Sequence, residues 1–441
     1  MEKDSHFKFL NLIKNSIFSY FAPILHINVK IYINMKSKQG NSIKDISAKS
    51  KQINLFEAFA GVGSQHMALK NISHSMNWNI NVVGIVEWFI DAIIAYEAIH
   101  NPVAFLPPPR KRKLEIRPET FKVNVNLSAD SKKPLSIQSQ KKYFENSETA
   151  FWLNRSKELS NNLFDITEVK AQDLPKNIDI FTYSFPCQDL SGQGLGKGME
   201  KNANTRSGLL WEIDRIISGA KKTFSQSEMP KYLLLENVKS MINKNHYLEY
   251  KKWLDRLDKL GYESKQYVLN SKDFGMAQAR ERVFVLSVLK THKDKVDFKF
   301  RDPKKTLGMV PIKGILEKGI PFDKKFNQYR LTEPSFRNDN VRKYKLENYT
   351  NFSSENMVFD INYNGSTLTA SGALSRLKLF YGKDKIRTMT PKEAFRYMGF
   401  TDESFDKVVQ TNLIKPNKQL YLAGNSIVVP ILEEIFRTLV F

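Results

Sequence analysis

The stretch Ile53–Leu69 constrains the fold more than any other. It reads Ile-Asn-Leu-Phe-Glu-Ala-Phe-Ala-Gly-Val-Gly-Ser-Gln-His-Met-Ala-Leu. The apolar residues at its start suit a buried strand, Gly61 and Gly63 suit a tight turn, and Met67, Ala68 and Leu69 suit the opening of a helix. Strand, glycine turn and helix form the first unit of a nucleotide-binding α/β sheet, in which the ligand lies at the carboxyl ends of the strands. The third glycine of a Gly-x-Gly-x-x-Gly fingerprint is missing, because His66 stands in its place, and no Lys-Ser/Thr pair follows. A P-loop is therefore excluded, and a pyrophosphate is not the indicated ligand. An ordinary tight turn would read the same way, so the remaining strands have to decide.

Each of those strands ends in a residue able to do chemistry. Val82–His100 reads as a second strand ending in Glu87, followed by Trp88 and a helix. An acid at this place holds a ribose diol in such sheets, or else meets a helix dipole. Trp88 suits either stacking on an adenine or core packing. Phe164-Asp165-Ile166 resumes the pattern, and Asp165 is either a partner for an adenine amino group or a surface carboxylate. Asp179–Tyr183 suits a short buried strand that Pro186 stops, and Cys187, the only cysteine of the chain, sits at the junction with a Gly/Ser-rich loop. A lone cysteine there is a candidate nucleophile or a small buried hydrophobe. Thr205–Ile217 carries apolar residues at helical spacing, and Tyr232–Val238 is an apolar strand ending in Glu236 and Asn237. A carboxylate there is expensive unless paired or used. Trp253–Leu260 suits a helix and Gln266–Asn270 a strand. Over Ala277–Ser287, Gln278, Arg280 and Arg282 alternate on one side, for catalysis, phosphate binding or salt bridges.

The flanking segments differ in character. Residues 1–50 read as a dispensable extension, with Met35 as the functional start; the apolar run Asn15–Val29 is too short and too interrupted to span a membrane. Residues 101–162, with Pro107–Pro109 and a basic run at Arg110–Lys113, read as a surface insertion. From Val288 to about Lys385 the strand–helix alternation is lost, as in a separate loop-rich domain. Gly365–Lys378 within it is small, polar and basic, suited to touching DNA or to forming a plain hairpin. Thr390, Pro391 and Glu393 form a helix-start signature. The last helix places Ile431, Leu432, Ile435, Phe436 and Leu439 on one face. The net charge of +22 points to a polyanion such as nucleic acid, or to a bias toward solvated lysines. One cysteine excludes an intramolecular disulfide and a Cys-rich zinc site, so a cytoplasmic protein without a metal is expected.

Taken in order, the glycine turn Phe59–Gly63, Pro186-Cys187-Gln188, Glu236-Asn237-Val238, Gln278-x-Arg280-x-Arg282, Arg387–Phe400 and Gly424-Asn425-Ser426 resemble the motifs of the C5-cytosine DNA methyltransferases. The resemblance runs from about residue 53 to residue 441, and its wording looks closest to the mollicute CpG-type enzymes. It implies a Rossmann-like α/β catalytic domain over residues 51–290. It also implies a smaller target-recognition domain over 291–400 and a C-terminal segment, 401–441, that returns to the first. It implies S-adenosylmethionine (AdoMet) as donor and a cytosine flipped out of double-stranded DNA. Cys187 would add to C6, Glu236 would hydrogen-bond N3, Arg282 would steady O2, and Arg280 and Gln278 would orient them. Phe59, Ala60, Gly61, Val62, Gly63, Glu87, Trp88, Asp165, Ile166, Pro186, Leu209, Asn425 and Ser426 would enclose AdoMet. Gln188, Ser191, Arg206, Arg337, Ser371 and Arg376 would meet DNA. No membrane partner is implied; a monomer is expected, with a cognate restriction endonuclease as a possible companion.

Ser64 replaces a second consecutive glycine, and Phe336–Tyr344 lacks the Lys-Ser-Asn run of the CpG-type relatives. CpG is the favoured site, with another short site as the alternative. Rival readings are an RNA cytosine methyltransferase and a catalytically silent DNA-binding protein.

Overall fold

The computed structural model describes residues 50–103, 125–186, 190, 206–306, 308–352, 354–370, 376–383 and 385–441. The large sheet is built from β1 (Lys51–Ala58), α1 (Ser64–Met76), β2 (Trp78–Val86), α2 (Ile90–His100), α3 (Ile137–Glu145), α4 (Ser147–Leu159), β3 (Ile180–Tyr183), α5 (Leu210–Thr223), β4 (Tyr232–Val238), α6 (Tyr247–Leu260), β5 (Tyr262–Asn270), β6 (Glu281–Leu289) and α7 (Lys290–Val296). Its order is β2-β1-β3-β4-β6-β5. The strands from β2 to β4 pair in parallel, and β6 runs antiparallel between β4 and β5. The order reverses direction between β1 and β3, and open sheets of this kind form a crevice at that point.

Both faces of the sheet are covered, as parallel strands require. Along β4, Tyr232 and Leu234 enter one core while Leu233 and Leu235 enter the other. The first core includes Leu69 and Ile72 of α1 and Ile93 and Ile94 of α2; the second includes Ile213 and Ile217 of α5 and Trp253 and Leu257 of α6. β5 begins at Tyr262, four residues before the strand expected from the sequence, because Gly261 takes a φ of 100° that closes α6 and turns the chain at once.

The segment 125–162 corrects the expectation of a surface insertion. Ser136 and Asn146 cap α3 and α4 through their side chains, and Trp152 and Leu153 of α4 are buried in the first core. The burial is carried by a few residues on an otherwise polar, lysine-rich stretch, so the periodicity is faint. Residues 104–124 of that insertion lie outside the described residues, as does the extension up to residue 49.

A smaller sheet comprises β7 (Ser335–Arg337), β8 (Val341–Lys345), β9 (Met357–Asp360), β10 (Lys378–Phe380) and β11 (Ile386–Thr388), in the order β11-β10-β9-β8-β7. Phe326, Tyr344, Leu346, Val358 and Ile386 form its own core. The small sheet occupies less than the 291–400 span. Phe298 sits against Tyr232 of β4 with ring centroids 5.3 Å apart. Phe395, Tyr397, Met398 and Phe400, on and just after α8 (Pro391–Tyr397), are buried in the core of the large sheet. The remaining helices are α9 (Asp402–Gln410), α10 (Pro416–Asn425) and α11 (Val429–Phe436). Leu432, Ile435 and Phe436 join the first core, and the Tyr232 hydroxyl donates to the Val440 carbonyl at 2.6 Å. The C-terminal segment therefore lies on the large sheet.

Candidate active site

The glycine turn forms at the end of β1 with Phe59, Gly61 and Gly63 all at positive φ. Gly63 has no room for a side chain, since a Cβ there would stand 2.2 Å from His100 Nε2. At Gly61 the opposite holds: a Cβ would meet nothing within 4 Å, so the turn faces open space. Glu87, at the end of β2, bridges the turn to α2. Its Oε2 accepts from the Gly61 N–H and its Oε1 from the Phe89 N–H, both at 2.8 Å. Burial pushes the Glu87 carboxyl up, and the N–H groups of Phe89, Gly61 and Trp88 pull it back.

Asn162, which the sequence does not single out, holds this corner together. Its amide oxygen accepts from the N–H groups of Glu87 and Phe164, and its amide nitrogen donates to the Glu87 carbonyl. It thereby ties Glu87 to the segment that leads into Asp165, which is 8% exposed. Trp88 is half-buried against the first core, and Ile166 is buried in the second, where Phe59 and Leu209 pack at its edge. Ser426 is buried after α10 and Asn425 is exposed. The Ile427 N–H donates to the Ser64 hydroxyl, drawing that segment to the start of α1. Two carboxylates with spare acceptor sites, an open glycine turn and a half-buried indole fit a nucleoside.

The second half of the site lies at the ends of β3, β4 and β6. Val238 of β4 pairs with Arg282 of β6, so Arg282 and Glu236, two residues back along β4, share one face of the sheet. Arg282 Nε lies 3.3 Å from Glu236 Oε1. Burial pushes the Glu236 carboxyl up, opposed by the charges of Arg282 and Arg280. Asn237 donates from its side chain to the Phe185 carbonyl at 3.1 Å, and the Ser207 hydroxyl donates to the Pro186 carbonyl at 2.9 Å. The chain beyond β3 is thus fixed up to the residue before Cys187. Cys187, Gln188, Ser191 and Ser371 lie outside the described residues, as does the Arg206 side chain. Among the described residues, no three His, Asp or Glu side chains cluster as a metal site, and no helix is long and apolar enough to cross a membrane.

The profile of the C-5 cytosine-specific DNA methylase family matches residues 124–440. The chain belongs to this family. It is 38% identical over 399 residues to the orphan methyltransferase M.SssI of Spiroplasma monobiae, covering 88% of this chain and 98% of that protein. It is 34% identical over 396 residues to the type II methyltransferase M2.ScrFI of Lactococcus lactis subsp. cremoris, covering 88% and 99%. The fold is similar to that of the Dnmt2 methyltransferase of S. pombe, with 15% identity, a TM-score of 0.52 and coverage of 87% and 97%. It is also similar to the Entamoeba histolytica methyltransferase EhMeth, with 14% identity, a TM-score of 0.54 and coverage of 88% and 98%. The chain is accordingly a DNA (cytosine-5) methyltransferase, of a family that depends on AdoMet.

Within this methyltransferase, two of the alternating residues do not face the pocket. β6 begins at Glu281, so Gln278 and Arg280 precede the strand and turn inward. Gln278 is fully buried; its amide donates to the Tyr397 carbonyl and accepts from the Leu368 N–H. Arg280 donates to the carbonyls of Leu368, Gly424 and Ser426. Both are struts joining the small-sheet segment and α10 to the start of β6. Arg280→Met is expected to lower stability by about 2–4 kcal/mol, because three buried carbonyls lose a charged donor. Urea unfolding reads this, and an unchanged midpoint would contradict it. Arg337 and Arg376 are exposed. Arg337 pairs with Asp339 and donates to the Ser366 hydroxyl, one residue from Gly365, whose carbonyl accepts from the Ala279 N–H.

A buried polar cluster beneath the glycine turn also escapes the sequence reading. The Tyr96 hydroxyl donates to Glu57 Oε2 at 2.7 Å, the His66 N–H donates to Glu57 Oε1, and the rings of His66 and His100 stack at 4.2 Å. His100 Nε2 lies 3.0 Å from the Val62 carbonyl, within the turn. Burial raises the Glu57 carboxyl from 4.5 to about 7, against the pull of Tyr96 and His66, and lowers His66 to about 4. A raised carboxyl contributes stability that is whole below pH 4.5 and is lost as pH rises through about 7. Glu57→Gln removes that loss. The variant should therefore gain roughly 2–4 kcal/mol on the wild-type protein between pH 4.5 and pH 8. Urea unfolding at the two pH values measures the gap, and a pH-independent gap would refute the assignment.

Proposed function

We propose that this methyltransferase forms a covalent bond between Cys187 and C6 of a cytosine flipped out of a short duplex site, CpG being favoured, and transfers the methyl group of AdoMet to C5. The observation that carries this reading is the Glu236–Arg282 pair, 3.3 Å apart, beside the anchored Phe185-Pro186 segment that leads to Cys187. C5 of cytosine is a weak nucleophile. Attack of the Cys187 thiolate at C6 forms a C–S bond and pushes an electron pair toward N3 and O2. Glu236, whose carboxyl burial pushes up, gives a proton to N3, and Arg282 steadies O2. The bound donor supplies an electrophilic methyl group. C5 then carries both the new methyl and its original proton; a base, most simply water, removes the proton, the C6–S bond breaks and N3 returns its proton to Glu236. Extruding the base costs a few kcal/mol, met by contacts to the displaced strands.

The cofactor is held, in this reading, by the glycine turn, by Glu87 on the ribose, by Trp88 and Asp165 on the adenine, and by Leu209, Asn425 and Ser426 closing the pocket. Arg337 and Arg376, with Gln188, Ser191, Arg206 and Ser371, face DNA. The protein acts in the cytoplasm as a monomer, either alone or beside a restriction endonuclease.

Duplexes carrying 5-fluorocytosine test the reading. Fluorine at C5 cannot leave as a proton, so the adduct is trapped once the methyl group has transferred. A denaturant-resistant complex is expected with a CpG duplex and AdoMet, and none with transfer RNA. Trapping on every duplex but CpG would overturn the site, and trapping on none would overturn the mechanism.

A further inference from the structure

Residues 125–133 run across the adenine side of the proposed cofactor pocket. Ser128 pairs with the start of α2: its N–H donates to the Trp88 carbonyl at 2.9 Å, and its carbonyl accepts from the Ile90 N–H at 3.0 Å. Further along, the Ala129 carbonyl accepts from Lys418 Nζ, and Ser131 bonds to the Tyr421 hydroxyl, both on α10. The strap is thus pinned to two elements of the pocket wall. Two residues before Ser128, Asn126 Nδ2 donates to Asp165 Oδ2 at 2.9 Å.

That bond determines what Asp165 can recognise. Its Oδ1 accepts from the N–H and the hydroxyl of Thr167, at 3.0 and 2.9 Å. A carboxylate oxygen accepts two hydrogen bonds, so Oδ1 is filled and Oδ2, with Asn126 on one side, keeps one acceptor position. We propose that Asn126 is a positioning residue that aims this last acceptor position at the exocyclic amino group of the cofactor's purine, so that the strap sets the preference for adenine over a 6-oxo purine. The inference rests on the reading of Asp165 as the adenine contact.

The test is direct binding to the full chain, by calorimetry, of S-adenosylhomocysteine and S-inosylhomocysteine, which differ at position 6 of the purine. A 6-oxo group sets an acceptor against an acceptor, and a site built around a donor rejects such an analogue strongly. The wild-type protein is expected to prefer the adenosyl compound by about 100-fold or more. Asn126→Ala should weaken adenosyl binding about tenfold and inosyl binding by less than threefold, so the preference falls. Asn126→Asp places a second carboxylate against Asp165, and the two should share one proton. Its preference should survive at low pH, where that proton lets the introduced carboxyl stand in for the amide, and fall as pH rises. A merely structural role for Asn126 would weaken both ligands equally and leave their ratio unchanged with pH, which would overturn the inference. Equal wild-type affinity for the two compounds would instead overturn the adenine contact itself.

Discussion

Cys187→Ser is expected to reduce methyl transfer by roughly 10⁴-fold or more while leaving DNA and cofactor binding within threefold of wild type. The attacking species is an anion. A thiol with a reference pKa of about 8.5 supplies a few per cent of thiolate at neutral pH, whereas a serine hydroxyl supplies essentially none without a base to take its proton. Burial pushes the Glu236 carboxyl up, and its neighbour at 3.3 Å is the Arg282 guanidinium. The backbone leading to position 187 hangs on Asn237 and Ser207 through the Phe185 and Pro186 carbonyls, contacts that a change of sulfur to oxygen does not touch. Binding should therefore survive. Tritiated methyl uptake, gel shift on a CpG duplex and trapping on 5-fluorocytosine give three readouts of one variant. A serine variant retaining a tenth of wild-type turnover would remove Cys187 from the role of nucleophile.

The parts of this site visible in the sequence are those that lie at the ends of apolar strands. A carboxylate after Tyr-Leu-Leu-Leu, or one after Val-Val-Gly-Ile-Val, is conspicuous because the strand itself is buried and the charge needs a reason. Glu236 and Glu87 are legible on that ground, and the structure sets both at the carboxyl edge of the sheet. Alternation along Ala277–Ser287 misleads for the same physical reason that it usually helps. A period of two holds only within a strand, and β6 starts at Glu281, so Arg282 faces Glu236 while Gln278 and Arg280 are used up by distant carbonyls. Asn162, Ser207 and Asn126 are not legible at all. Each acts through a hydrogen bond to a residue that the fold brings beside it, at Glu87, Pro186 and Asp165, and an asparagine or serine in a polar stretch carries no local mark of such a partner. The cluster of Glu57, Tyr96, His66 and His100 is hidden differently: its members stand on β1, α1 and α2, and only the close approach of α2 to the glycine turn makes them one group.

Glu236→Gln should cost roughly 10²–10⁴-fold in turnover and change the shape of the pH profile, with AdoMet affinity altered by less than threefold. Glutamine keeps the volume and can still donate a hydrogen bond to N3, but it has no proton to give up. The ring nitrogen must then carry the negative charge that thiolate addition creates, in a site where charge is poorly solvated. The pH dependence separates this from simple loss of packing. Burial raises the Glu236 carboxyl, and the opposing charges of Arg282 and Arg280 limit the rise. As pH climbs through that raised value the acid form is lost, so the wild-type rate should bend downward relative to the supply of Cys187 thiolate, which grows over the same range. In the glutamine variant only the thiolate titration remains, and its rate should rise with pH until the thiol is ionised. Arg282 supplies the internal control: it lies on the same face of the sheet, and Arg282→Met removes the charge that favours ionisation of Glu236. The downward bend should then move to higher pH, since one of the two positive charges holding the carboxyl down is gone. Single-turnover rates between pH 5.5 and 9 on a CpG duplex, with donor saturating, measure all three proteins. A glutamine variant with the wild-type profile, merely scaled down, would mean that position 236 orients the base and does not protonate it.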